Sequence, residues 1–482
     1  MQYNLKTLLL SSKEWRIEEI SIYKKLYLTL KELIINGKLP FGTKLPTSRS
    51  LAEDLKISRS TVLKALDILS FERFIISKQG AGYFVDYKVK KNDIKVHKTE
   101  SLKYPSISKR ARLFEKYSSV ITDNFSKKNI AFRPGLPPLD IFPIKTWKNI
   151  SLSYWKTATP TNLSYAPSEG LEDLRISISN YLKVYRNIDC DYKQIVIVSG
   201  SLHSLYLVGN SVINTNDKVI MENPTFPRAY NLFKSLKAKI IPCEIDNKGL
   251  MINSIKDTNA KLIYTTPSNQ YPLGIKMSKN RRIELLKWAS KNNSLIIEDD
   301  YDHEFSNWEK PIPSLFSLDK EDRVIYQGTF NKLLHPSLRV GYVILPKYLL
   351  CPVKAIFEQS SRFVSLSNQM ILNSFITKDF LTKHIRNVIE TSIERKILFE
   401  DCTKKFLKIH KKFSGLHVIG KSKSKIDDKV LCKNLLNNNV IAFPLSNYYI
   451  TKEQKQGFVL GFSSVNNKMI KEKTSIMEAI LK

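Results

Sequence analysis

The 482-residue sequence predicts an α/β protein in which an N-terminal winged helix-turn-helix is joined to a larger domain with a mostly parallel sheet. Short helical patterns followed by a Gly-x-Gly hairpin pattern fill residues 20–88, and strand patterns alternate with helical ones from residue 130 onward. Such alternation is typical of parallel strands connected by helices. We therefore predict domains at 20–88 and 130–482, separated by a basic, flexible linker at 89–129.

Composition indicates a globular protein of a reducing compartment. Hydrophobic residues make up 42% of the chain, no apolar run approaches the roughly 20 residues of a membrane span, and the N-terminus lacks a signal-peptide pattern. The cysteines are scattered and their number, five, is odd, which argues against a disulfide framework and against a zinc site. We expect a cytoplasmic protein that binds no metal and no membrane.

The net charge of +32 has two explanations. A polyanionic partner such as DNA would account for it, and so would a general lysine bias in the composition. The excess is densest in the predicted linker, whose lysines either follow DNA phosphates or only keep the segment solvated. Charge alone does not decide between these alternatives.

The first domain begins with an amphipathic helix at Ile22 that we expect to end near Gly37. A turn follows, then a short helix, then a second helix that Ser58 caps. Two short helices joined by a tight turn are typical of the helix-turn-helix. The positions predicted to face inward on these two helices are Leu51, Ala52, Leu55, Val62, Ala65, Leu66 and Leu69.

The outer face of the second helix carries cationic and hydroxyl side chains, among them Arg59, Thr61 and Lys64. A β-hairpin pattern follows, and its tip glycines, Gly80 and Gly82, would let the backbone pass close to a phosphate. An exposed polar helix beside such a wing predicts double-stranded DNA as the partner.

A second group of motifs concerns a covalently held cofactor. Lys332 follows an apolar strand pattern, with Thr329 before it and Arg339 after it. A lysine amine condenses with an aldehyde, while a hydroxyl and a guanidinium bind a phosphate. Upstream, another strand pattern runs into Asp299 and Tyr301, an acid for a ring nitrogen and a donor for a ring oxygen. Together these are the groups that pyridoxal phosphate needs.

The strand pattern places these motifs at one edge of the predicted sheet, because ligands of open α/β sheets bind beyond the carboxyl ends of the strands. A helix is predicted at Ile176–Arg186. The predicted strands are Ile195–Val198, Lys218–Met221, Lys239–Ile241, Lys261–Tyr264, Ser294–Glu298, Arg323–Tyr326 and Gly341–Leu345.

The chain resembles two families in succession. Its N-terminal part resembles the winged helix of GntR-type transcription regulators, through Leu45–Ala52, Ile57–Val62 and Gly80–Val85. Residues 130–482 resemble the fold-type I aminotransferases, which bind pyridoxal phosphate, and the whole chain is therefore similar to the MocR-type regulators. The stretches that carry the second resemblance are Ser199–Leu205, Glu222–Phe226, Thr266–Gly274, Glu298–Tyr301 and Gly328–Arg339, together with Tyr165 and Gly170.

The GntR resemblance implies DNA contacts and shows two departures. Lys56 stands at a turn where the family has glycine, and the stretch Glu72–Phe74 lacks a second family glycine. Both departures concern local geometry. The implied DNA contacts are Arg49, Ser58, Arg59, Thr61 and Lys64.

The aminotransferase resemblance implies a role for each residue of the cofactor site. Lys332 would hold pyridoxal phosphate as an internal aldimine, Asp299 would face the ring nitrogen, and Tyr301 would donate to the ring hydroxyl. Phe226 would stack on the ring, and Asn269 or Gln270 would also reach the ring oxygen. The residues implied to bind the phosphate are Ser201, Thr329 and Arg339, with Tyr165 from the partner subunit of a head-to-tail homodimer.

Three further departures concern the site itself. Asn331 replaces a serine before the lysine, and Leu202 replaces a polar residue of the phosphate-binding turn. Ser464 is expected at the position where aminotransferases place an arginine for the substrate carboxylate. Losing that cation would remove an interaction of about 1.5–3 kcal/mol, unless Arg228 supplies another. The resemblance therefore implies that the cofactor is captured while turnover of amino acids is doubtful.

These observations predict a DNA-binding transcription regulator that responds to pyridoxal phosphate, alone or as an aldimine with an amine, and we assign it no catalytic residue. One alternative is an active pyridoxal-phosphate-dependent aminotransferase with an accessory DNA-binding domain. Another is a DNA-binding protein whose degenerate sensor binds no cofactor. The helix-turn-helix argues against the first alternative, and the complete lysine, aspartate, tyrosine and arginine set argues against the second.

Overall fold

The computed structural model describes residues 5–10, 12, 13, 15, 20–88, 106–118, 131–305, 312–409, 415–422 and 426–481. The chain divides into two compact units, Met1–Ser106 and Ile107–Lys482. Most of the predicted linker, residues 89–105 and 119–129, lies outside the described residues.

The first unit is a winged helix-turn-helix, as the patterns predict. Ser58 caps the second helix of the motif, its hydroxyl oxygen accepting from the Thr61 amide at 3.2 Å. All seven positions predicted to face inward on the two helices are buried. The elements of this unit are α1 (Leu5–Leu10), α2 (Ile22–Ile35), α3 (Ser48–Leu55), α4 (Arg59–Phe71), β1 (Ile75–Lys78) and β2 (Gly82–Val85).

The wing is the antiparallel pair of β1 and β2. Gly80 and Gly82 have φ angles of 72° and 102°, which side chains rarely adopt, so the tight tip requires glycine. Lys44 forms an isolated antiparallel bridge with Phe84, which ties the segment before α3 to the outer strand. The predicted hairpin is confirmed.

Both departures from the GntR glycines fall at strained backbone. Lys56, which ends α3, has a φ of 53°, and Arg73, which follows α4, has a φ of 59°. For residues other than glycine this left-handed conformation costs roughly 1–2 kcal/mol. The turns have therefore kept the family's backbone geometry although the glycines are gone.

Lys56→Gly is expected to stabilise the winged helix by about 0.5–1 kcal/mol. Relief of the left-handed strain, roughly 1–2 kcal/mol, exceeds the extra conformational entropy that glycine loses on folding, roughly 0.5–1 kcal/mol. Hydrogen exchange of the α4 amides in the full-length protein measures the change. Glu53→Gly, on the exposed side of α3, is the control and should destabilise. A Lys56→Gly protein that exchanges as fast as this control would contradict the prediction.

The larger unit is built on a mostly parallel sheet. Among the described residues eight strands follow the order β3-β10-β9-β8-β7-β4-β5-β6, with β10 and β6 antiparallel to their neighbours. Every residue of β3, β7 and β10 is buried and most are apolar, as expected where helices cover both sides of a sheet. The strands are β3 (Ile195–Val198), β4 (Lys218–Asn223), β5 (Lys239–Asp246), β6 (Gly249–Leu250), β7 (Leu262–Thr265), β8 (Leu295–Asp299), β9 (Val324–Thr329) and β10 (Gly341–Ile344).

All seven predicted strands are confirmed, with ends that differ by a few residues. A second, antiparallel sheet of order β11-β12-β14-β13 was not predicted. Its strands are β11 (Leu407–Ile409), β12 (His417–Ser422), β13 (Phe443–Pro444) and β14 (Phe458–Gly461). The helices are α5 (Lys109–Tyr117), α6 (Ile144–Thr157), α7 (Glu172–Arg186), α8 (Ser201–Val212), α9 (Pro227–Ser235), α10 (Lys279–Lys291), α11 (Leu315–Leu318), α12 (Leu350–Ser360), α13 (Leu366–Thr377), α14 (Phe380–Thr403), α15 (Asp428–Asn437) and α16 (Asn467–Leu481).

Helix α5 is the described part of the predicted linker. It packs on the larger unit, where the Phe114 ring lies 6.5 Å from the Tyr206 ring and the Lys234 ammonium lies 5.9 Å from the Tyr117 ring. The predicted linker is therefore helical over Lys109–Tyr117. This helix belongs to the larger unit rather than to an extended segment.

Candidate functional site

The larger unit contains a cavity of about 650 Å³ at the carboxyl ends of its parallel strands. Asp299 ends β8 and Thr329 ends β9, while Phe226 follows β4 and precedes α9. All three line the cavity, together with Lys332. Adjacent parallel strands thus bring together residues that lie far apart in sequence.

Lys332 lies in a short 3₁₀ turn directly after β9, and its ammonium group donates to the Gly135 carbonyl at 2.7 Å. A side chain at Gly135 would overlap this ammonium group, so the glycine provides the space for it. Burial lowers the pKa of Lys332, while the carboxylates of Asp302 and Asp299 oppose the shift. A lysine with a lowered pKa is more often the neutral amine that attacks an aldehyde.

Asp299 has one free oxygen in a buried position. Its Oδ2 accepts from the Tyr264 hydroxyl at 2.8 Å, while Oδ1 has no hydrogen-bond partner among the described residues. Burial raises the pKa of Asp299 to about 6. An unpaired buried carboxylate oxygen is costly unless a donor meets it. A protonated ring nitrogen would be such a donor, so this carboxylate fits pyridoxal phosphate.

Aromatic side chains form the walls beside Lys332. The Tyr301 ring centroid lies 5.9 Å from the Lys332 ammonium, and the Tyr301 hydroxyl donates to the Asn269 carbonyl at 3.0 Å. Phe226 lies edge-to-face with Tyr271, their centroids 5.6 Å apart, and Tyr271 packs likewise on Tyr301. The two residues predicted to touch the cofactor ring, Phe226 and Tyr301, therefore lie on the same aromatic wall.

The predicted phosphate end of the site lies where α8 begins. Ser201 is the first residue of α8, and Arg339 donates to the carbonyl of Ser199 just before it. Gly200 has a φ of 91°, and a side chain there would lie 3.4 Å from both Arg339 and Asn331. A helix N-terminus with a guanidinium beside it is a favourable place for an anion. Ser201, Thr329 and Arg339 all line the cavity.

Asn331 and Leu202, two of the departures from the family, also line the cavity. The Asn331 Oδ1 is buried without a hydrogen-bond partner among the described residues. Two departures thus sit at the phosphate end, one apolar and one with an unsatisfied carbonyl oxygen.

Three predicted residues do not line the cavity. The Asn269 amide donates to Asp302 at 2.7 Å, and the Gln270 amide donates to the carbonyls of Pro224 and Tyr271 at 2.8 and 2.7 Å. Tyr165 is 73% exposed and lies 4.3 Å from the Arg362 guanidinium. Asn269 reaches the site only through its backbone contact with Tyr301, and Tyr165 does not contribute to the cavity of its own chain.

The expected position of Ser464 is corrected by the structure. Ser464 does not line the cavity, and its hydroxyl is buried without a partner among the described residues. Val459, on β14, instead packs with Tyr448 and Phe443, which do line it. Both residues are uncharged, so this segment offers no cation. The cationic side chains that line the cavity in the described part of the chain are Arg133, Arg228, Lys332 and Arg339.

The winged helix presents its predicted DNA residues at the surface. Arg49, Ser58, Arg59 and Lys64 are exposed, and Arg59 donates to the Ser48 hydroxyl at 3.3 Å. The Lys64 ammonium lies 4.1 Å from the Tyr23 ring. Arg59 therefore lies beside the start of α3, where Arg49 is the second residue, while Lys64 lies against α2.

The structure adds residues that the sequence analysis missed. Lys44 and Lys78 lie over the Phe84 ring of the wing, at 5.9 and 5.1 Å from its centroid. In the cofactor site, Tyr264 holds Asp299, and Gly135 accepts from Lys332. The tyrosine hydroxyl within an otherwise apolar strand pattern could have identified Tyr264 as a residue of the site. Nothing in the sequence near Gly135 pointed to Lys332.

No group of three or more His, Cys, Asp or Glu side chains in the described ranges is arranged to hold a metal ion. None of the helices in the same part of the chain combines the length and the apolar character that a membrane crossing needs.

Comparison with known proteins gives matches over both units. A family model for "Bacterial regulatory proteins, gntR family" matches residues 22–85, and one for "Aminotransferase class I and II" matches residues 139–466. The "Uncharacterized HTH-type transcriptional regulator YdeL" of Bacillus subtilis is 32% identical over 97% of this chain and 98% of its own. The "Probable rhizopine catabolism regulatory protein MocR" of Rhizobium meliloti is 29% identical over 95% and 93%.

Among solved structures, the larger unit is similar to aminotransferases. An archaeal alanine:glyoxylate aminotransferase has a TM-score of 0.69 and 25% identity, covering 78% of this chain and 96% of its own. The α-aminoadipate aminotransferase LysN of Thermus thermophilus has a TM-score of 0.71 at 21% identity, covering 78% and 97%. The second likeness shows the fold alone.

Proposed function

The chain belongs to the MocR-type regulators of the GntR family, and we propose that pyridoxal phosphate held at Lys332 sets how strongly it binds DNA. The chain is a DNA-binding transcription regulator with an aminotransferase-like domain, and the comparisons support pyridoxal phosphate as its cofactor. The effector is the cofactor alone or its adduct with an amine.

One observation carries this proposal. The unpartnered buried oxygen of Asp299 and the Lys332 amine line the same cavity, and α8 begins beside it with Arg339. These are separate requirements of one molecule: an acid for a ring nitrogen, an amine for an aldehyde and an anion site for a phosphate.

We propose a role towards the cofactor for each residue of the site. Lys332 would bind the aldehyde carbon, Asp299 would hold a proton on the ring nitrogen, and Phe226 and Tyr301 would confine the ring. Ser201, Thr329 and Arg339 would hold the phosphate. When bound, pyridoxal phosphate supplies an electrophilic carbon to which a primary amine can attach.

The remaining roles concern assembly and DNA. We propose a head-to-tail homodimer in the cytoplasm, in which the partner's Tyr165 completes the phosphate site, since this residue is exposed and outside the cavity of its own chain. The exposed residues of the winged helix bind duplex DNA, with Arg59 and Lys64 near the major groove. Gly80 and Gly82 let the wing approach a phosphate. Lys44 and Lys78 add cations there.

Conversion of the cofactor to its amine form by amino acids is expected to be slow or absent. Proton transfer requires the substrate to be held at a fixed angle to the ring, and a carboxylate clamp sets that angle. The segment of Val459 offers no such cation. Single-turnover absorbance spectra with a panel of amino acids measure the conversion, with Val459→Ala as a control that changes volume without charge.

The contrary outcome would identify an enzyme. Arg133 and Arg228 both line the cavity, and Arg228, two residues after Phe226, is the one we propose as a replacement for the missing clamp. If amino acids convert the cofactor rapidly and Arg228→Ala abolishes this conversion, the protein is an active aminotransferase with an accessory DNA-binding domain. The proposal that it only binds amines without converting them would then be wrong.

The affinity for pyridoxal phosphate is expected to fall below pH 6 because of Asp299. Burial raises the pKa of this carboxyl group to about 6, so it is ionised above that pH and protonated below it. Only the ionised form stabilises a protonated ring nitrogen, so affinity should fall by about tenfold per pH unit below pH 6. Asp299→Asn is neutral throughout and should lack this decline. Parallel affinity profiles for the two proteins between pH 5 and 8 would contradict the assignment.

A further inference from the structure

Asp302 is a buried carboxylate beside the cofactor residues, and none of the roles above uses it. It directly follows Tyr301, and only 2% of its surface is exposed. Its Oδ2 accepts from the side-chain amide of Asn269 at 2.7 Å. The backbone carbonyl of Asn269 accepts from the Tyr301 hydroxyl at 3.0 Å. One residue, Asn269, thus joins the Asp302 carboxylate to the hydroxyl of a cofactor-facing tyrosine.

The Asp302 carboxylate also acts electrostatically on the reactive lysine. Burial lowers the pKa of Lys332, and among the charges that oppose this shift Asp302 acts more strongly than Asp299. Burial raises the pKa of Asp302 well above its usual range, with Asn269 and Lys332 opposing. The two groups therefore influence each other's protonation.

A tightly packed backbone encloses the contact between Asp302 and Asn269. A side chain at Gly415 would overlap both polar groups, and the φ of 102° at this residue also favours glycine. Any larger residue at position 415 would therefore disturb this hydrogen bond. The carboxylate is held in one orientation by its amide partner and by its surroundings.

We propose that Asp302 is a positioning residue of the cofactor site. It holds Asn269 by a hydrogen bond and, through the Asn269 backbone carbonyl, the Tyr301 hydroxyl. It also provides a second carboxylate that acts on the Lys332 amine. This inference rests on the proposed binding of pyridoxal phosphate at Lys332. It assigns two separable functions to one side chain: a hydrogen-bond acceptor that shapes the wall and a charge that acts on the lysine.

Two substitutions separate these functions. Asp302→Asn keeps an acceptor oxygen but removes the charge. The pH midpoint at which the absorption band of the lysine-bound cofactor changes should therefore fall by about one unit. The affinity for pyridoxal phosphate should stay near that of the unchanged protein. Asp302→Ala removes both, and should in addition weaken pyridoxal phosphate binding by about tenfold. Other charged or titratable groups interact with Asp302 and also affect this pH midpoint. They are Lys332, Asp300, Glu304, Tyr301, Tyr271 and Lys276.

The experiment measures absorbance between pH 5.5 and 9.5 and the equilibrium affinity for pyridoxal phosphate on the full-length protein. Asp322→Asn, at the surface, is the control and should match the unchanged protein. If Asp302→Ala fails to fold, as judged by circular dichroism, Asp302→Asn decides alone. Midpoints and affinities equal to those of the control would overturn this inference, whereas failure of the unchanged protein to form the absorption band would overturn the proposed function instead.

Discussion

Lys332→Ala is expected to yield a colourless protein that borohydride cannot label with the cofactor. Only the Lys332 amine lines the cavity among the lysines of the described residues, so no other amine there can replace it. The Asp299 oxygen and the N-terminus of α8 remain, so weak non-covalent binding should persist. Absorbance before and after borohydride, followed by mass analysis of the labelled peptide, measures the loss.

The matched control is Lys347→Ala, which removes an exposed lysine outside the cavity and should leave the spectrum unchanged. In the unchanged protein the label should lie on Lys332. A Lys332→Ala protein with an undiminished absorption band would refute the assignment of this lysine and, with it, the role of the cavity as a cofactor site.

Removal of the winged helix is expected to abolish specific DNA binding. A truncated protein of residues 87–482 keeps the whole basic linker, so weak, salt-sensitive binding should remain. The affinity of specific DNA binding commonly exceeds that of non-specific binding by roughly 10³-fold or more. We therefore expect a loss of affinity of this size. Titration of a duplex selected from random sequence measures both proteins at one salt concentration.

Arg59→Ala refines this test within the full chain. If Arg59 reads a base edge, the substitution should cost about 1–3 kcal/mol on the selected duplex. If it contacts a phosphate, the dependence of affinity on salt should weaken by about one unit of slope. Lys38→Ala, an exposed lysine in the loop after α2, is the control. Equal binding by the truncated and full-length proteins would exclude the winged helix as the DNA reader.

The sequence predicted most of the first unit because its signals are local. Ser58 caps α4, and the apolar spacing of residues such as Val62 and Leu66 identifies the buried side of the helix. Lys56 shows the limit of this reasoning. No local propensity favours lysine in a left-handed turn, so only the family resemblance indicated that the backbone there favours glycine.

The cofactor site was predictable where it lies on strand ends and less so elsewhere. Asp299 and Thr329 follow strong strand patterns, so their common position follows from the topology of a parallel sheet. The second sheet was missed because its strands are short and far apart in sequence. The sequence analysis expected Ser464 at the position of the substrate clamp, whereas the structure places this residue outside the cavity.

The most direct test of the account is the affinity of the full-length protein for its selected duplex, measured with and without pyridoxal phosphate. The account predicts that the cofactor changes the dissociation constant of the unchanged protein severalfold and leaves that of Lys332→Ala unaltered. If the unchanged protein shows the absorption band of the bound cofactor, yet binds the duplex with the same dissociation constant in both conditions, pyridoxal phosphate does not control DNA binding and the account is contradicted.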